Sequence, residues 1–189
     1  FVTVEDTVLA TVGADFYGVH YNGTTVRTFD PLALENVQMP SPFGLPASRR
    51  ALQDLGLRVV RIFVMLGKVR TPSGDLDWSE TDEAVTQVIE SGMVPMLCLH
   101  QAWKDGPGKA DGTPWWRHED GEPEWTRFAE GAARRYLGRV GRFEILNEPN
   151  HMHKDKPDYV GWERSVDLYL AAARAVRRGN ADAVCGGPA

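Results

Sequence analysis

Cysteine, basic excess and long apolar runs are all scarce in this sequence, and each shortage removes a class of function. Only Cys98 and Cys185 occur among 189 residues. Two thiols make neither a disulfide framework nor a metal-ligand spacing. Both stand in apolar, strand-like runs, which predicts buried free thiols. The formal net charge is −5, whereas a nucleic-acid partner calls for a basic footprint. No apolar run approaches the roughly 20 residues that a membrane-crossing helix needs. There is no internal repeat, low-complexity segment or linker. No leader peptide is evident and the first residue is Phe1, so a removed leader or a trimmed chain is expected, and the compartment stays open. His151 and His153 are one residue apart, but no further ligands accompany them. They read as loop residues, and neither a metal nor a cofactor is implied.

What is present is an alternation. Five short apolar runs recur: Phe16 to His20, Arg58 to Leu66, Val94 to Leu99, Arg142 to Leu146, and Ala183 to Cys185. Short continuous apolar runs suit parallel strands covered on both faces. Between them lie amphipathic stretches. Ala47 to Leu55 follows Pro46 and stops at Gly56. Trp78 to Ser91 carries Asp82 and Glu83 early, with Ser79 as the expected cap and Gly92 as the stop. Glu124 to Tyr136 and Tyr159 to Arg178 complete the set. The last is expected to bury Trp162, Val166, Tyr169, Ala173 and Val176. The stretches Tyr21 to Pro46 and Gln101 to Pro123 read as long loops, where function often lives. Phe1 to Val12 reads as an extra strand or cap.

Strands alternating with helices predict an α/β fold with a parallel sheet. The pattern resolves into about five strands and four helices, the first half of a (β/α)8 TIM barrel, which complete takes about 250 residues. An open Rossmann-like sheet is the structural alternative. No glycine-rich phosphate loop follows the first strand, which weakens a dinucleotide reading.

Side chains alternate along a strand, so parity predicts direction. Glu144, Leu146 and Glu148 then share a face, as do Met96, Cys98 and His100, and likewise Val59, Arg61 and Phe63. Val60, Ile62 and Val64 suit the helix layer. Glu148 is the leading catalytic candidate. It sits in Asn147-Glu148-Pro149-Asn150 at the carboxyl end of a strand, where barrel chemistry occurs, and a Glu there can protonate a leaving-group oxygen. Glu144, deeper in the strand, is expected to be a buried carboxylate paired with Arg61 or Arg142, since a buried charge persists only if paired. Arg61 could instead orient a second catalytic carboxylate. His100 and His20 end their strands and are either satisfied polar residues or substrate contacts. Trp103, Trp115 and Trp116 are either core or faces for sugar rings.

These residues carry a resemblance. With Asn147-Glu148-Pro149 at a strand end, the chain resembles the retaining glycoside hydrolases of clan A, the Asn-Glu-Pro superfamily. More narrowly it is similar to family 39, which includes β-xylosidases and α-L-iduronidases: Phe143 to Asn150 resembles that family's Phe-Glu-Val-Trp-Asn-Glu-Pro-Asn run, with Ile145-Leu146 replacing Val-Trp. Gly186-Gly187-Pro188-Ala189, the helix and strand from Trp78 to Pro95, and Val60-Arg61 match further parts of that pattern, over residues 13 to 189. The resemblance implies a β-xylosidase-like, retaining O-glycosyl hydrolase with a glycoside or oligosaccharide substrate. Glu148 would be the general acid/base. Asn147 would hold the sugar 2-hydroxyl, Arg61 would support the nucleophile, and His100 would match a third-strand His. His20 and Trp103 are further candidates for substrate binding. The clan's nucleophile is a Glu on the seventh strand, beyond Ala189, so the bare chain is expected to be inactive. A missing C-terminal half or a second copy would cover the open barrel edges. The alternative is a non-catalytic sugar-binding or self-associating half-barrel.

Overall fold

The computed structural model describes residues 56–100, 121–147 and 161–187, five strand segments between residues 2 and 40, and residues 50, 53, 54 and 149. The strands are β1 (Val2–Val4), β2 (Thr7–Ala10), β3 (Gly18–Tyr21), β4 (Thr25–Asp30), β5 (Glu35–Pro40), β6 (Val59–Met65), β7 (Val94–His100), β8 (Arg142–Ile145) and β9 (Val184–Gly186). The helices are α1 (Leu66–Val69), α2 (Ser79–Glu90), α3 (Gly121–Arg135) and α4 (Trp162–Gly179).

The five apolar runs predicted as strands lie in one sheet, ordered β3-β6-β7-β8-β9. All neighbours in it are parallel. Each strand is added on the same side of the one before it. A doubly wound sheet reverses its order at a switch point; this one does not, so it is a segment of a barrel wall. Right-handed crossovers then put the helices on one face. That face is apolar: Val60, Ile62, Val64, Leu97, Leu99, Phe143 and Ile145 form one buried cluster with residues of α2, α3 and α4.

Local chemistry sets the helix ends. At α2 the Asp77 carboxylate accepts the Ser79 N–H at 2.9 Å, and this bond holds its pKa below the ordinary value. Asp77, one residue before the N-cap Trp78, thus supplies the side-chain acceptor expected of Ser79: its carboxylate reaches forward to a free N–H of the first turn. The other end is a Schellman motif. Met93 N–H donates to Val88 O at 3.2 Å and Gly92 N–H to Ile89 O at 2.8 Å. Gly92 has φ of +70°, a value that favours glycine.

Helices α3 and α4 approach closely. A Cβ on Gly179 would lie 2.6 Å from Glu130 O, so only glycine fits there. Trp125 Nε1 donates to Leu168 O at 2.9 Å, and Trp78 stacks on Phe128 with centroids 5.6 Å apart. Trp125, Phe128 and Tyr136 are fully buried, each contributing about 1.5–3 kcal/mol of apolar transfer.

Three expectations need correction. The stretch from Tyr21 to Pro46 contains an antiparallel pair, β4 with β5, in register from Thr25↔Pro40 to Asp30↔Glu35. The Pro, Gly and Asn residues around it hid the alternation in Thr25-Val26-Arg27-Thr28-Phe29. On α4 the buried stripe is Ser165, Leu168, Ala172, Ala175 and Val176, whereas Trp162 is 68% exposed. Small residues win that stripe because they let α4 press against α3. Cys98 is buried as expected, but Cys185 is only half-buried, and both are free thiols. Of the first predicted helix, Arg50, Gln53 and Asp54 are helical and the rest lies outside the described residues. Helix α3 starts three residues before the predicted Glu124. Pro123 fits in that first turn, where N–H groups have no intrahelical partner. Residues 2–10 hold β1 and β2, which pair antiparallel. Among the described residues, no helix is long and apolar enough to cross a membrane.

Candidate functional site

The site grows from the face of the sheet opposite the helices. On β6, Arg61 and Phe63 point there and are partly exposed, between buried Val60, Ile62 and Val64. On β8, Phe143 and Ile145 join the apolar cluster, which leaves Glu144 for the other face. On β7, between them, Cys98 is in register with both Phe63 and Glu144.

Arg61 is the hub. Its Nε donates to Glu144 Oε2 at 2.8 Å and its Nη2 pairs with Glu144 Oε1, a two-point fork. Nη2 also donates to Asn147 Oδ1 at 2.7 Å and to Cys98 Sγ at 3.2 Å. The guanidinium lies 4.6 Å over the Phe63 ring. Forked, charge-assisted bonds of this kind are the strong ones. The pair is largely buried, with side-chain exposures of 18% for Arg61 and 11% for Glu144. The sequence left Arg61 and Arg142 both open as partners of Glu144, and the bond is to Arg61. Cys98 Sγ lies 3.5 Å from Glu144 Oε1. Burial pushes the thiol far above its ordinary pKa, so it stays S–H and donates to the carboxylate.

Alternation placed Leu146 on the face of Glu144. The structure breaks the alternation there. Leu146 has φ of +67°, a left-handed conformation that costs a branched side chain about 1–2 kcal/mol. Its N–H donates to Leu99 O at 2.9 Å, and its side chain is fully buried in the apolar cluster. This turn brings Asn147, one residue on, to Arg61. Strain of this kind persists where the surroundings over-determine it, and it concentrates at functional sites.

His100 is 5% exposed and meets Phe63 edge-on, with ring centroids 5.3 Å apart. Arg61, Phe63 and His100 thus form one wall. His20 lies on β3 in register with Arg61, beside the same row. Glu148, Trp103, Trp115, Trp116, His151 and His153 lie outside the described residues. Phe63 and Cys98 were not singled out as site residues from the sequence, although sharing a face with Arg61 and His100 respectively was the available signal. Among the described residues, no group of three or more His, Cys, Asp or Glu could hold a metal ion.

The site sits at the carboxyl ends of β7 and β8, the end that carries chemistry in barrels. Chemically it offers an oriented amide beside a fixed cation, followed directly in sequence by a glutamate.

A model of the family described as Cellulase (glycosyl hydrolase family 5) matches residues 20–186. No curated protein sequence matches the chain. Solved structures do. A glycoside hydrolase crystal structure is similar at 18% identity over 90% of this chain and 52% of its own, with a TM-score of 0.62. Endoglucanase Cel5A from Thermotoga maritima is similar at 14% identity over 92% of this chain and 51% of its own, TM-score 0.57. A family 39 glycoside hydrolase from the gut symbiont Bacteroides cellulosilyticus WH2 is similar at 16% identity over 74% of this chain and 27% of its own, TM-score 0.56. These likenesses establish a shared barrel fold. The chain spans about a quarter to a half of the length of these structures.

Proposed function

The chain belongs to the cellulase family, glycosyl hydrolase family 5, and from that premise we propose that it forms the acid/base half of a retaining O-glycosyl hydrolase acting on β-linked sugars. Membership agrees with the clan A resemblance read from Asn147-Glu148-Pro149. The narrower likeness to family 39 comes from the sequence motifs, and the family 39 structure, at 16% identity, adds support for the fold alone.

One observation carries the proposal. The Arg61 fork on Glu144 also fixes Asn147, at the carboxyl end of β8 and immediately before Glu148. In this reading Glu148 protonates the leaving oxygen and later activates water. Asn147 binds the sugar 2-hydroxyl. Arg61 keeps an attacking carboxylate ionised. His100 and His20 line the site, and Trp103 offers a face to a sugar ring.

Retention needs a second carboxyl about 5–5.5 Å from the first. We place it on later strands that complete the barrel, because the chain spans only part of the structures it resembles. Residues 1–12 are then a cap and 13–189 the barrel segment, and the segment alone is inactive. The family description and the endoglucanase neighbour favour β-glucosides, whereas the sequence motif favours β-xylosides. The two sugars differ only at C5, so both enter the test. Aryl β-xylosides and β-glucosides are offered to the protein with its barrel completed. Glu148→Gln should lower turnover about 10²–10⁴-fold, the usual range for a lost general acid/base. Hydrolysis unchanged by that substitution contradicts the assignment.

A further inference from the structure

We propose that Glu144 is a positioning residue that fixes which end of the Asn147 amide faces the substrate. The inference rests on the functional reading above and deepens it.

An asparagine amide has an acceptor end and a donor end of nearly the same shape. The left-handed backbone at Leu146 delivers Asn147 to the site, but it does not choose between those ends. Arg61 chooses. A guanidinium has only donors, so Oδ1 must turn to Arg61 Nη2, as it does at 2.7 Å, and Nδ2 must turn the other way. Asn147 is thereby presented as a donor to an acceptor on the ligand, a sugar hydroxyl oxygen.

The guanidinium must itself be held for this to work. Glu144 grips it at two points. Cys98 sits against Nη2 on one side, and the Phe63 ring lies beneath. Of these three partners, Glu144 supplies both charge and direction. The thiol at Cys98 supports the carboxylate in turn. The order of dependence runs from Glu144 to Arg61 to Asn147. Glu144 need not touch the sugar.

Two measurements test this. The first uses ¹⁵N-labelled chain and follows the side-chain amide resonances of Asn147. Glu144→Gln should shift and broaden them, and Glu144→Asp, which keeps the charge, should do so less. Unmoved Asn147 amide signals in Glu144→Gln would overturn the proposal. If that variant does not fold, Glu144→Asp decides alone: its shorter side chain draws the carboxylate away from the fork, and unmoved Asn147 signals in it would likewise overturn the proposal.

The second measurement uses the barrel-completed protein and paired aryl glycosides, with and without the 2-hydroxyl. Glu144→Gln should lower kcat/KM about tenfold on the hydroxyl-bearing substrate, the scale of one hydrogen bond, and leave the deoxy substrate within about twofold. An equal loss on both substrates would mean that Glu144 only supports the fold, and would overturn the proposal. Should the wild type cleave neither substrate, the glycosidase reading fails. The amide signals of the first measurement then still decide whether Glu144 orients Asn147.

Discussion

Along β6, Val60, Ile62 and Val64 are at most 2% exposed, while Arg61 and Phe63 between them stay partly open. The same alternation runs through β8, where Phe143 and Ile145 are core and Glu144 bonds to Arg61. Two faces of one sheet thus follow different rules. On the helix side, what matters is volume and apolarity, summed over many contacts. On the other side, what matters is which atom donates to which, and one lost partner strands the rest. Neighbouring positions in the chain should therefore respond very differently to substitutions of similar size.

The largest effect is expected from that contrast itself. Arg61→Met keeps most of the volume but leaves Glu144 buried without its cation. It should cost about 3 kcal/mol in chemical denaturation, the scale of a broken buried pair. Ile62→Val, one residue on and facing the helices, should cost only about 0.5–1.5 kcal/mol. Equal costs would erase the distinction between the faces.

A smaller effect comes from polar contacts on the helix side. The Asp82 carboxylate holds Arg135 and accepts the Tyr136 hydroxyl at 3.0 Å. The Arg135 bond, chiefly, keeps the Asp82 pKa below 3.8. A depressed folded pKa stabilises the fold above the unfolded value, and that stability is lost as pH falls through the folded value. Water screens the half-exposed Arg135, so Asp82→Asn should cost about 0.5–1 kcal/mol at pH 7. The cost should shrink below about pH 3.8; a cost that grew on acidification would reverse the assigned sign.

The smallest effect is expected at Trp162. It is 68% exposed, so Trp162→Ser should change stability by no more than about 0.5 kcal/mol. A large loss would show that the stripe first expected from the sequence is buried after all.

Much of this was legible in the sequence. Apolar runs and their spacing located all five parallel strands and the long helices, because burial on both faces leaves a continuous apolar signal. Parity placed Arg61 and Glu144 on one face, and charge made them partners. What stayed hidden had local causes. No rule of alternation anticipates a left-handed leucine, so the side taken by Asn147 could not be read. Asp77 and Ser79 are both good caps, and geometry alone chose between them. On α4, two stripes of similar apolarity competed, and close packing against α3 favoured the one with small residues. Phe63 and Cys98 gained meaning only once Arg61 was seen to lie against both.

The central proposal is that the polar face ends in an oriented amide and that Glu148, next in sequence, donates the proton. Its most direct test is leaving-group dependence in the barrel-completed protein. Glycosides with a poor leaving group need the proton, and those with a strongly acidic phenol do not. Glu148→Gln should therefore slow cleavage of disaccharides at least about 100-fold, while formation of the glycosyl-enzyme from dinitrophenyl glycosides stays near the wild-type rate. Loss to the same degree for both, or for neither, would contradict the account.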